Sequence, residues 1–166
     1  MSINGEYVRA TADELAKAIG DPEWALEFVE GIQNTEEDAG LPPGSALYLT
    51  THKAWQAIGF LLDRAGCPVD VVHGEQQFAD EEDWGNGPPR YLTAEQVRTG
   101  AQALTATNFD RLTAGVTVGE LTQARVYPEV WDEPDSLQWV RRWYEPLVVY
   151  FVAASDHGHG MLVWLD

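Results

Sequence analysis

Trp55, Ile58, Leu61 and Leu62 recur at spacings of three and four, which puts all four on one face of a helix predicted over about residues 52–65. Such a stripe is stable only against another apolar surface, so this segment must pack into a core. Thr51 opens the helix and Gly66-Cys67-Pro68 ends it. A second stripe, Leu137, Val140, Tyr144, Leu147, Val148 and Phe151, predicts a helix from about Ser136. Pro146 removes one backbone donor inside it, so a kink is expected there. Thr11 with Glu14, and Thr93 with Gln96, are capping boxes that open two further helices. Leu15 and Ile19 face inward on the first, and Val97, Ala101 and Leu104 on the second. Asp21-Pro22 starts another helix with Trp24, Leu26, Phe28 and Val29 as its apolar positions, and Phe109 to Thr113 reads as a short helical turn.

The strand signals are fewer and shorter. Residues 6–10 alternate outward and inward types, Val69 to Val72 is a β-branched run that reads as a buried strand, and Met161 to Leu165 closes the chain after the turn His157-Gly158-His159-Gly160. Residues 31–44 are polar, acidic and proline-containing, and read as an exposed loop. A second long loop spans His73 to Arg90, with five acids and no base before its final arginine. Strands and helices do not alternate regularly, which argues against a doubly wound sheet. The expected fold is α+β, a small sheet with several helices packed on it, and 166 residues with no repeat or linker make one domain over 1–166.

Charge narrows the partners. Ten Lys and Arg face 27 Asp and Glu, a formal net charge of −17. That field repels phosphate backbones, so nucleic acid is excluded as a partner. Hydrophobic residues make up 45% of the chain, including seven Trp, so the acidity does not signal disorder. The longest apolar run, Leu147 to Ala154, is eight residues against the ~20 needed to span a bilayer. No basic segment and apolar run resembling a signal peptide follows Met1, and the single Cys67 forms neither an internal disulfide nor a thiolate zinc site. A reducing cytoplasm is the expected setting.

Four segments carry a family resemblance: Tyr7-Val8-Arg9-Ala10 with its capped helix, Lys53-Ala54-Trp55 leading into Ile58-Gly59-Phe60-Leu61-Leu62, Gly87-Pro88-Pro89-Arg90-Tyr91-Leu92-Thr93, and Tyr127-Pro128-Glu129-Val130-Trp131. In their order and spacing they resemble the YfbM-like bacterial proteins of unknown function, over nearly the whole chain. The resemblance implies an α+β fold, a cytoplasmic bacterial protein and no accepted catalytic positions. Thr51-His52 ahead of the Lys-Ala-Trp segment and the double proline after Gly87 depart from the family's pattern.

Phosphate-cradling loops, nucleophile elbows and His-Glu-x-x-His motifs are all absent, so no catalytic residue and no cofactor is assigned. His157 and His159 beside Asp156 form a His-x-His trio, but no third ligand is identifiable elsewhere and no metal site is assigned. His52 at a helix start reads as neutral and solvent-facing. His73 is a candidate general base that lacks a Ser, Cys or Asp partner at a recognisable spacing. Two readings remain. The first is a non-catalytic acidic protein that binds a basic partner, as an immunity protein binds a toxin. Its acidic segments are Asp21 to Asp38 and Glu75 to Asp83, and an exposed Trp84 is its anchor. The second is a small-molecule binder or enzyme whose cleft is lined by Arg90, Tyr91, Tyr127, Glu129 and Trp131, a rigid aromatic loop beside an anion fork. A structural reading stands beside the second: Arg90 pairs with Glu129 and pins two loops to the core.

Overall fold

The computed structural model describes residues 2–166. Among these the chain forms five strands: β1 (Gly5–Ala10), β2 (Tyr48–His52), β3 (Gln76–Gln77), β4 (Arg90–Leu92) and β5 (Gly160–Leu165). They make one antiparallel sheet in the order β2-β1-β5-β4-β3. Seven helices accompany it: α1 (Ala12–Gly20), α2 (Pro22–Glu36), α3 (Trp55–Ala65), α4 (Ala94–Ala106), α5 (Phe109–Leu112), α6 (Val118–Gln123) and α7 (Ser136–Asp156). The fold is α+β.

Both faces of the sheet are covered, and the pleat explains how. Tyr7, Leu92, Met161 and Val163 point to one side, into a core completed by α3, α4, α5 and α7. Val8, Ala10, Leu162 and Trp164 point to the other, under α1, α2 and the segment carrying Phe78 and Trp84. All six residues of β1 are therefore buried, which corrects the expected outward-inward alternation. Burial of Glu6 and Arg9 is offset by hydrogen bonds. Tyr48 Oη donates to Glu6 Oε2 at 2.6 Å, and Arg9 Nη1 donates to the Ala46 carbonyl at 3.2 Å.

Both capping boxes are present as read, Thr11 with Glu14 and Thr93 with Gln96. α7 starts at Ser136 and continues through Pro146. Four expectations are corrected. On α1 it is Leu15 and Ala18 that are buried, whereas Ile19 is exposed. α2 runs through Gly31 to Glu36, because Val29 and Ile32 have a core to pack on that outweighs the glycine's cost of ~1 kcal/mol. Thr51 belongs to β2, where its hydroxyl donates to the Gly5 carbonyl at 3.3 Å, and the helix begins only at Trp55. Val69, Val71 and Val72 are buried but lie in successive turns, so no strand forms there. α6 carries too short a stripe to be read from the sequence; Leu121 is its one buried residue.

Candidate functional site

The turns between α3 and β3 build the most organised polar site. Gly66 takes a left-handed backbone (φ 77°) that ends α3, and buried Val69, Val71 and Val72 then pin the following turns to the core. Between them Asp70 is half-exposed, and its Oδ1 accepts from the backbone N–H groups of Val72 at 3.2 Å and His73 at 2.9 Å. The same carboxylate lies 3.2 Å from His73 Nδ1. Partial burial pushes the Asp70 carboxyl up, but the hydrogen bonds from the His73 ring and backbone and the Val72 N–H more than offset it, leaving it below its ordinary value. Asp70 thus supplies the partner that His73 lacked in the sequence reading, three residues upstream. The signal was an Asp-x-x-His in the stretch after a helix, a spacing common enough to be passed over.

With Asp70 on Nδ1, the His73 ring keeps Nε2 for other chemistry. The edge of the ring meets Trp55, with centroids 5.7 Å apart, and Trp55 in turn stacks on Tyr127 at 5.9 Å. Two cavities share His73. One, of about 280 Å³, is lined by Gln56, Gly59, Phe60, Asp63, Asp70, His73, Ala124 and Val126. The other, of about 200 Å³, lies against Arg90, Gln77, Asn86 and Gly87, with Val72, Val163 and Leu165 among its apolar walls.

The residues nominated from sequence divide between these surroundings and the two cores. Arg90 reaches the second cavity; its Nε donates to the Gly74 carbonyl at 2.9 Å and its Nη2 to that of Glu75 at 3.1 Å. It forms no ion pair with Glu129, which stands exposed on a turn at φ 62°. Tyr91 points to the opposite face of the sheet, because neighbours on a strand alternate, and packs against Phe78. Trp131 is buried in the main core and donates to the Val126 carbonyl at 2.8 Å, while Tyr127 Oη accepts from Ile3 N at 2.9 Å. The single cleft expected from Arg90, Tyr91, Glu129 and Trp131 is not formed. Trp84 is likewise no exposed anchor: it is 7% exposed, between Phe78 and Trp164. Its loop folds back because the sheet offers these apolar rings a place out of water.

The histidines of the α7–β5 turn meet Arg9. Arg9 Nε donates to His159 Nδ1 at 3.2 Å, and Arg9 Nη2 lies 3.2 Å from His157 Nδ1. Burial, the Arg9 charge and His157 hold the His159 ring below its ordinary range. Among the described residues no group of three or more His, Cys, Asp or Glu is placed to hold a metal ion. His52 is exposed, packs on Trp143 at 4.3 Å, and is held below its ordinary value by partial desolvation and by Lys53. No helix among the described residues is long and apolar enough to cross a membrane.

An antiparallel five-stranded sheet covered on both faces, with a His–Asp pair at one end, places the chain among α+β domains. Residues 1–164 match the family described as "Domain of unknown function (DUF1877)", and the chain belongs to that family. Its fold is shared by the crystal structure of a protein of unknown function, YfbM, from Escherichia coli: 17% identity, all of both chains covered, TM-score 0.62. The resemblance to the YfbM-like family is thereby borne out at the level of family and fold. No curated protein matches the chain.

Proposed function

We propose that the chain is a non-catalytic binding protein whose acidic layer receives a basic protein, in the way an immunity protein caps a toxin. The observation that carries this reading is how unevenly the charge is divided. Residues 12–38 and 78–83 overlie the same face of the sheet and hold thirteen acids against one base, Lys17. The rest of the chain holds fourteen acids and nine bases. Eleven of the thirteen carboxylates are on exposed residues, and they surround a half-buried stack of Trp24 on Phe28 at 4.8 Å. That stack takes the anchoring role first given to Trp84, since large aromatics in a charged setting are what binding energy concentrates on. Opposed charge accelerates encounter with a basic partner, and the reading includes a cytoplasmic setting, in keeping with the lone free Cys67.

The test compares three proteins as bait in a lysate of the native host at low salt. They are the wild type, a face-reversed Glu23→Lys/Glu27→Lys/Glu30→Lys variant, and a control Asp132→Lys/Glu133→Lys/Asp135→Lys variant. A stoichiometric basic protein retained by wild type and control, released by salt and lost by the face-reversed variant is the expected result. Equal retention by all three, or none at any ionic strength, overturns the proposal.

A further inference from the structure

The cavity shared by His73 and Arg90 has a composition unlike the rest of this surface. Arg90 is one of only ten Lys and Arg in a chain with 27 acids, yet no carboxylate lies within ion-pairing distance of it among the described residues. Backbone carbonyls of Gly74 and Glu75 hold its guanidinium instead, fixing its direction and leaving Nη1 unengaged. Gly74 permits this placement: at φ 89°, a Cβ on it would stand 3.1 Å from Arg90 Cβ. His73 lines the same cavity with Asp70 behind its Nδ1. Gln77 and Asn86 add amide groups, and Val163 and Leu165 add an apolar wall.

We propose that this cavity is a binding site for a small monocarboxylate with a short apolar tail, its carboxylate held between Arg90 and His73 Nε2. A fixed guanidinium is a natural carboxylate fork, and the apolar wall accommodates the tail. The net charge of −17 favours a monoanion over a phosphate dianion, whose extra charge meets the same repulsive field without a second fixed cation. The groups facing His73 are Asp70 from its own turn, Asp63 of α3 across the first cavity, and Arg90 of β4 across the second. With Nδ1 on Asp70, donation from Nε2 to a bound carboxylate needs the doubly protonated ring, so binding takes up a proton and tightens as pH falls.

Butyrate, inorganic phosphate and butylamine serve as probes, read through the His73 ring resonances by NMR and checked by calorimetry. Six non-hydrogen atoms support a Kd of roughly 1 mM for butyrate. The expected result is a saturable shift with butyrate, at least tenfold weaker with phosphate and butylamine, and weakened about tenfold or more by Arg90→Gln. His73→Asn alters a half-exposed side chain, so the fold survives; it must abolish the pH dependence of butyrate binding. It decides the matter should Arg90→Gln fail to fold. No saturable shift with butyrate, phosphate binding as tightly as butyrate, or a pH dependence unchanged in His73→Asn overturns the assignment.

Discussion

Glu6 is the residue with the most to lose from its position. It sits in β1 at 4% exposure, and burial raises its carboxyl from 4.5 to about 7. Hydrogen bonds from the Tyr48 and Thr50 hydroxyls pull the other way, while Asp166 and Glu37 add to the rise. The sign of the consequence follows from linkage. Between about pH 4.5 and 7 the folded chain holds this proton and the unfolded chain does not, so stability from this site is complete below that window and declines as pH rises through it. The full effect is roughly 3 kcal/mol. Glu6→Gln removes it: urea unfolding should show the variant gaining on the wild type by a few kcal/mol between pH 5 and pH 8. A stability difference that does not change with pH contradicts the assignment. None of this was legible in the sequence, where Glu6 reads as an outward strand residue, because only the second helical layer buries it.

Elements depend on one another at β5, which the sequence placed last and the sheet places in the middle, between β1 and β4. Gly160 opens that strand under α1 and beside β4. A Cβ there would stand 2.6 Å from Leu15 Cδ2 and 2.8 Å from the Leu92 carbonyl oxygen. Leu15 can turn aside but the backbone cannot, so Gly160→Ala should cost roughly 1–3 kcal/mol, seen as a lower urea midpoint at unchanged slope. A midpoint equal to the wild type's would mean that the strand shifts freely. The boundaries read correctly were those written in local chemistry: the Thr11 and Thr93 capping boxes, Asp21-Pro22, and Gly66 at the end of α3. The boundaries missed, β2 in place of a helix start and turns in place of a strand at Val69 to Val72, depend on whether a distant strand is there to pair with.

At the scale of the whole molecule the excess of carboxylates acts as a self-repulsion concentrated over α1, α2 and the 78–83 segment. Salt screens it: the Debye length falls from about 30 Å at 0.01 M to about 8 Å at 0.15 M. The thermal midpoint should therefore rise by a few degrees over that range, about 2–4 °C for each kcal/mol of repulsion relieved in a chain of this size. A midpoint that is flat or falls with added salt would show that ion pairs outweigh the repulsion. The exposed pair Arg64–Glu120 at 3.8 Å and the contacts of Arg141 with Asp110 and Glu145 do not point that way, since surface pairs contribute little.

The amino-acid sequence by itself determined the helices with their caps, the α+β class, the family and the acidity of two segments, because apolar spacing, capping and charge act over a few residues. Tertiary structure decided what those segments face. It brought both acidic stretches over one side of the sheet and drew Trp84 inside. It put Arg90 and Tyr91 on opposite faces, and it placed His73 on the cavity that Arg90 lines, with Asp70 against its Nδ1. Strand order and register bring together residues far apart in the chain, and no local pattern encodes that pairing.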